Sequence, residues 1–252
     1  MKKLTVYFIM LCFVTVIGAG SAKAIPASLP GLQAAFDTIT TAPVSGSSSV
    51  DASNDYIPDY LDSYWMLAAG GASFASLVIE LAGWADNNTF GVYSDSGGSI
   101  EIFNGSESSG DKRVMSMSYN GSSYDVQVTN LVTMTATYAT FGSPDFSFYI
   151  TSPDGTFYSN SSKNVDGYDY MLAYQGASTD TISFGSATPA LWTTNQFMLA
   201  WEDSLKGRID EDYNDMLVLM ESIYPVPEPI TLILLGSGLA GFALMRRKFS
   251  DN

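Results

Sequence analysis

The sequence predicts a mainly β chain: an antiparallel β-sandwich of jelly-roll type, with an N-terminal signal helix and a C-terminal hydrophobic helix outside it. Three observations carry the prediction. From Phe74 onward, short runs rich in aromatic and β-branched residues recur between Gly, Asn, Asp and Ser. Two of these runs, Val114-Met-Ser-Met-Ser-Tyr and Asp145-Phe-Ser-Phe-Tyr-Ile, alternate so that one face is apolar. Helix signals nearly vanish beyond residue 69.

Taken in order, residues 1–24 open with Lys2 and Lys3, run apolar from Leu4 to Ile17 and close on Ala22-Lys23-Ala24. A charged start, a short apolar run and an A-x-A site make a signal peptide, cut after Ala24. That cut removes Cys12, the single cysteine, so the exported chain carries no disulfide. Residues 25–53 read as a linker, because 38–53 hold no sustained apolar period. A short helix is expected over Ile57–Ala69, with Pro58 in its first turn and Tyr60, Leu61, Tyr64, Trp65 and Ala68 as its apolar stripe. Strands are expected at Leu77–Leu81, Phe90–Tyr93, Ser99–Phe103, Val114–Tyr119, Tyr124–Val128, Leu131–Tyr138, Phe146–Thr151, Tyr170–Tyr174, Phe197–Trp201 and Met216–Met220. Turns fall at Ser96-Gly97-Gly98, Asn104-Gly105, Asn120-Gly121, Pro153-Asp154-Gly155 and Asp166-Gly167. With no repeat and no internal boundary, residues 54–223 form one domain. Residues 224–252 are a sorting segment: Pro225-Val226-Pro227-Glu228-Pro229, an uncharged stretch from Ile230 to Met245, then Arg246-Arg247-Lys248. The uncharged stretch makes a short transmembrane helix, and the basic triplet holds its end on the cytoplasmic side.

Composition excludes whole classes of chemistry. There is no His, so a Ser-His-Asp triad and a His-based zinc site are ruled out. The 26 acidic residues against 11 basic ones repel a phosphate backbone, which argues against nucleic acid as a partner. Residues 25–228 hold 25 acids and only Lys112, Arg113, Lys163, Lys206 and Arg208, a net charge of −20. Such a body favours solubility and cation binding.

The acids are densest at Glu202-Asp203 and Asp210-Glu-Asp-Tyr-Asn-Asp215. Asp210, Asp212 and Asn214 fall at positions 1, 3 and 5 of an EF-hand loop, but Asp215 replaces the Gly required at position 6 and Met216–Met220 reads as a strand, so an EF-hand is rejected. Oxygen-rich loops bind Ca²⁺ outside that motif, and the candidate ligands are Glu202, Asp203, Asp210, Asp212, Asn214 and Asp215, with Asp154, Asp166 and Asp169 as a second set. The competing explanation is that Asp212 and Asn214 cap a turn while the other acids are solvated. Trp84, Trp192 and Trp201 are either sugar-stacking platforms or core residues, and the sequons headed by Asn87, Asn104, Asn120 and Asn160 read as turns.

Pro227-Glu228-Pro229, the Gly-containing apolar stretch and the Arg cluster resemble the PEP-CTERM sorting signal. That resemblance implies an exosortase, a processing peptidase, as partner. It also implies export across the inner membrane of a Gram-negative bacterium, a transient membrane anchor, and a final place at the cell surface or outside the cell, in a setting of exopolysaccharide and biofilm. Phe197–Glu221, Asp145–Ile150 and Asp166-Gly-Tyr-Asp-Tyr-Met-Leu-Ala-Tyr resemble the DUF4114 domain over residues 75–223, with Tyr170 where that family commonly has His. Glu80-Leu-Ala-Gly-Trp-Ala-Asp-Asn-Asn-Thr-Phe-Gly-Val-Tyr is also similar to a segment of such exported proteins. The leading expectation is a non-enzymatic surface or matrix protein. The second is a Ca²⁺-dependent carbohydrate-binding module, and the third a glycoside hydrolase working with carboxylates alone, which needs two of them flanking a cleft.

Overall fold

The computed structural model describes residues 28–227 except 69, 70, 81–84 and 209. The expected signal peptide with Ala22 and Ala24, Trp84, and the hydrophobic C-terminal helix lie outside the described residues. The chain is mainly β, with antiparallel sheets and few helices.

The largest sheet has seven strands: β3 (Ala72–Glu80), β6 (Lys112–Tyr119), β7 (Tyr124–Asn130), β8 (Ala136–Phe141), β11 (Met171–Gln175), β14 (Gln196–Trp201) and β15 (Met216–Glu221). They are ordered β11-β14-β15-β3-β6-β7-β8. A four-stranded sheet, β10-β9-β4-β5, joins β4 (Thr89–Tyr93), β5 (Ser99–Phe103), β9 (Ser147–Ser152) and β10 (Gly155–Tyr158). Two small sheets make up the rest of the sheet structure among the described residues. In one, β1 (Thr40–Ala42), β12 (Thr181–Ile182) and β13 (Ala190–Leu191) run in the order β1-β12-β13; in the other, β2 (Tyr64–Leu67) pairs with β16 (Ile223–Val226).

The sequence explains which strands lie deepest. Phe197-Met-Leu-Ala-Trp and Met216-Leu-Val-Leu-Met are unbroken apolar runs, and every residue in them is buried, as expected of strands covered on both faces. One face meets aromatic rings of the other sheets: Trp65 on β2 lies 5.0 Å from Phe197 and 5.7 Å from Phe148, and Phe90 on β4 lies 6.1 Å from Trp201. On the other face, which Met198 shares with its β11 partner Tyr174, helix α1 (Pro30–Ile39) sets Phe36 edge-on to Tyr174 at 4.9 Å and against Trp192 at 5.8 Å. Trp192 and Trp201 are therefore core residues.

Helix α1 corrects the reading of 25–53 as linker. Leu32, Ala35, Phe36 and Ile39 are buried at helical spacing, Pro30 stands in the first turn, and Val50 and Ala52 are buried farther on. The absence of apolar period over 38–53 reflects side-chain anchoring: Asp180 Oδ2 accepts from Ser48 Oγ at 2.7 Å and from the Ser49 N–H at 2.8 Å.

A second correction concerns Ile57–Ala69. Helix α2 (Asp59–Asp62) is one turn long, Pro58 precedes it, and the chain then runs extended as β2. Trp65 exchanges both backbone hydrogen bonds with Phe146, at 2.7 and 2.9 Å, so pairing overrides the helical stripe. The third correction is Leu131–Tyr138, where the strand begins only at Ala136. Asn130 Oδ1 accepts the N–H groups of Val132 and Thr133 at 2.8 and 3.1 Å, which closes an Asx turn first.

Candidate site: an acidic centre and the sorting motif

Strands β14 and β15 form a hairpin whose last pair is Trp201 and Met216, so residues 202–215 are its connection. Glu202 follows the strand directly and is fully buried. Its N–H donates to the Tyr170 carbonyl at 3.0 Å, and its Oε1 accepts the Tyr213 N–H at 2.7 Å. Glu202 Oε2 is buried with no hydrogen-bond partner. Farther along, Glu211 and Tyr213 adopt positive φ, 59° and 52°, flanking Asp212. The buried Tyr213 and the carboxylate of Asp212 thus leave the loop separately, and one carboxylate oxygen each from Glu202, Asp210 and Asp212 falls within 4.8 Å of the others.

The rest of the predicted first set stands around this trio. Asn214 donates its side-chain amide to Asp212 Oδ2. Asp203 is buried and satisfied, accepting from Asn88 Nδ2 and from Ser204 Oγ, each at 3.0 Å, while its own N–H donates to Asp215 Oδ2 at 3.0 Å. Burial pushes the Glu202 carboxyl up to about 8, with the charges of Asp215, Asp210 and Asp212 adding to it. Asp215 is pushed up to about 7, by burial first and then by the charges of Asp203, Asp210 and Asp212. Asp212 is raised by burial and by Asp210.

The second set is not gathered into one site. Asp154 pairs with Arg208 Nη1 at 2.8 Å. Asp166 accepts the Tyr168 N–H and the Tyr170 hydroxyl, both at 2.9 Å. Tyr170, where the DUF4114 resemblance leads one to look for His, is a buried structural residue that also accepts the Lys206 N–H at 3.0 Å. Asp169 is buried, with Oδ1 accepting the Met171 N–H at 3.2 Å and Oδ2 unpartnered.

Sequence reasoning missed the company Asp169 keeps. Both carboxylate oxygens of the fully buried Asp62 lack a hydrogen-bond partner, as does Asp59 Oδ1. Asp62 and Asp169 both hold their carboxyls well above the ordinary carboxylate range, mainly through burial, with Asp169 and Asp59 adding at Asp62, and Asp59 at Asp169. Asp59 and Asp62 are spaced as solvated first-turn acids of a helix, a pattern that hides burial. Of the four sequon asparagines, Asn104, Asn120 and Asn160 each accept the N–H two residues on, at 3.0, 3.1 and 3.1 Å, as Asx turns do.

The other functional element is the C-terminus of the body. β16 pairs antiparallel with β2, placing Pro225 opposite Trp65 and Val226 opposite Tyr64, and the strand ends at Val226, immediately before Pro227. Pro225 is tolerated because this is a two-stranded sheet with a free edge.

Residues 225–248 match the model of the PEP-CTERM protein-sorting motif.

The PEP-CTERM motif implies an exported protein with a C-terminal sorting signal, processed by an exosortase. It contains Pro227, Glu228, Pro229, Arg246, Arg247 and Lys248, and its first two residues belong to β16. Residues 228–252 lie outside the described structure. No curated protein and no solved structure matches the chain.

Proposed function

We propose that this chain is a non-enzymatic cell-surface or extracellular-matrix protein of a Gram-negative exopolysaccharide producer, a β-sandwich displayed outside the cell after exosortase processing. One observation carries the reading: the last strand of the body ends at Val226, and the sorting tripeptide begins at the next residue. The last described strand thus ends where the sorting signal begins. The meeting of Phe90 with Trp201 across two sheets supports the sandwich. The absence of His removes the triad and dyad chemistries that depend on imidazole. The likeness of residues 75–223 to DUF4114 has the quoted segments as its support.

The test is expression in a host with and without an exosortase. The surface form should lack the C-terminal segment only when the exosortase is present. A triple Pro227→Ala, Glu228→Ala, Pro229→Ala variant should stay uncut in the membrane fraction. Processing of that variant at the wild-type rate would overturn the reading.

A second reading, carbohydrate binding, is favoured by one groove of about 360 Å³ on β6, β7 and β8, lined among others by Ser116, Ser118, Gln127, Tyr138 and Thr140. Tyr138 is 74% exposed there, a free aromatic face beside hydroxyl and amide groups. A glycan array with and without chelator separates the two readings. Binding lost in Tyr138→Ala supports the second, and silence under both conditions removes it.

A further inference from the structure

We propose that Glu202, Asp210 and Asp212 bind one Ca²⁺ ion beside the start of helix α1. The close approach of three carboxylates is only the first observation. The second is Glu202 Oε2, in a fully buried side chain whose other oxygen lies in the Tyr213 hydrogen bond, and itself without a partner. A buried carboxylate oxygen left unpaired costs several kcal/mol unless a cation or a donor meets it. The described Lys and Arg residues do not supply that cation. The ion pairs among the described residues join Arg113 to Glu107, Lys163 to Asp95 and Arg208 to Asp154, all outside the trio.

The donor set selects the ion. All three ligands are hard carboxylate oxygens, which suits Ca²⁺ over softer metals. Oxygens on opposite sides of Ca²⁺ stand roughly 4.6–5.2 Å apart, so a spread of up to 4.8 Å fits around one ion. Burial falls from Glu202 through Asp212 to the exposed Asp210, so the ion enters from the Asp210 side and water completes its shell there. Gly31 explains the link to α1: a Cβ at that position would stand 2.7 Å from Asp212 Oδ2 and 2.6 Å from Asn214 Nδ2. The helix start therefore presses directly on a ligand and on the amide that holds it. The first turn of α1 contains no acidic residue, so nothing there repels the Asp212 carboxylate beside Gly31.

The test is calorimetric titration of CaCl₂ into the full chain, extracted in detergent and stripped with chelator, in 150 mM NaCl to screen diffuse attraction to the acidic surface. One saturable site is expected, with a thermal midpoint that rises with Ca²⁺ concentration. Asp210→Asn, at an exposed position, and Asp212→Asn should each weaken binding at least tenfold while leaving the chelated protein folded by circular dichroism. Gly31→Ala should weaken it as well, with no ligand removed. No saturable binding by the wild type would overturn the proposal. So would wild-type affinity in Asp210→Asn and Asp212→Asn, since the ion would then sit elsewhere.

Discussion

Tyr213 links two buried carboxylate neighbourhoods: its N–H donates to Glu202 Oε1 at 2.7 Å, and its hydroxyl donates to the Asp169 carbonyl at 2.6 Å. Its ring is fully buried and stacked on Tyr168, 6.4 Å between centroids. The positive φ at Tyr213 lets one residue serve both, since the backbone turns toward Glu202 while the side chain runs inward. Tyr213→Phe keeps the ring and removes only the hydroxyl. The buried Asp169 carbonyl then loses its donor, at a cost of about 1–3 kcal/mol. Urea unfolding monitored by circular dichroism should show a lower midpoint with an unchanged slope. An unmoved midpoint would mean that this hydroxyl carries no stability.

Stability should rise as the medium is made mildly acidic. Asp62 and Asp169 hold their carboxyls well above the ordinary 3.8, chiefly because burial disfavours the charged form. Between 3.8 and those raised values the folded state keeps protons that the unfolded chain releases, so each step up in pH favours unfolding. The gain on acidification develops as pH falls through the raised values and is complete below about 4. Urea midpoints measured from pH 8 down to pH 5 should therefore increase. Asp62→Asn, which cannot ionise, should flatten the slope. A wild-type curve that falls on acidification over this range contradicts the buried assignment of these two groups.

The two faces of the β structure predict opposite outcomes for aromatic truncation. Phe90 is fully buried, 5.6 Å from Phe148 on its own sheet and 6.1 Å from Trp201 on the larger one. Phe90→Ala should cost about 3–5 kcal/mol, by lost burial and by the cavity left behind. Tyr138 is largely exposed, and Tyr138→Ala should fall within about 0.5 kcal/mol of wild type. Chemical denaturation of both variants checks the pair.

These contrasts also show where the sequence was legible. The strands β5, β6, β14 and β15 were readable because alternation or an unbroken apolar run reports directly on one or two covered faces. Thr181–Ile182, Ala190–Leu191 and Gly155–Tyr158 are too short for any period to emerge. Helix α1 was readable from Leu32, Ala35, Phe36 and Ile39, but the polar residues after it drew the whole stretch into a linker. At the acidic centre, the local cluster 210–215 pointed to the place, and Glu202 was among the candidates. What the sequence could not separate is Asp203 from Glu202, neighbours of opposite fate, one satisfied by Asn88 and Ser204 and the other left with a free oxygen. Asp62 was invisible as a buried acid because its burial depends on contacts made by β11 and β16, distant in sequence.

Where the chain is cut decides whether the body keeps its fold. Ile223 is 3% exposed, and its strand pairs residue for residue with β2, which carries the fully buried Trp65. A chain ending at Val226 retains every one of these pairs. A chain ending at Ser222 loses the strand, uncovers Trp65 and forfeits at least the roughly 2–5 kcal/mol that deleting one buried Ile side chain costs. The full-length chain and the Val226 truncation should therefore unfold at the same urea concentration, and the Ser222 truncation well below it. The same comparison bounds the processing site: an exosortase cut that releases a stable body must fall C-terminal to Ser222, and one that keeps every β16 pair must fall C-terminal to Val226, on either side of Pro227 or beyond it. Mass measurement of the mature protein reads the position directly, and a mature end at or before Ser222 would show that β16 is expendable.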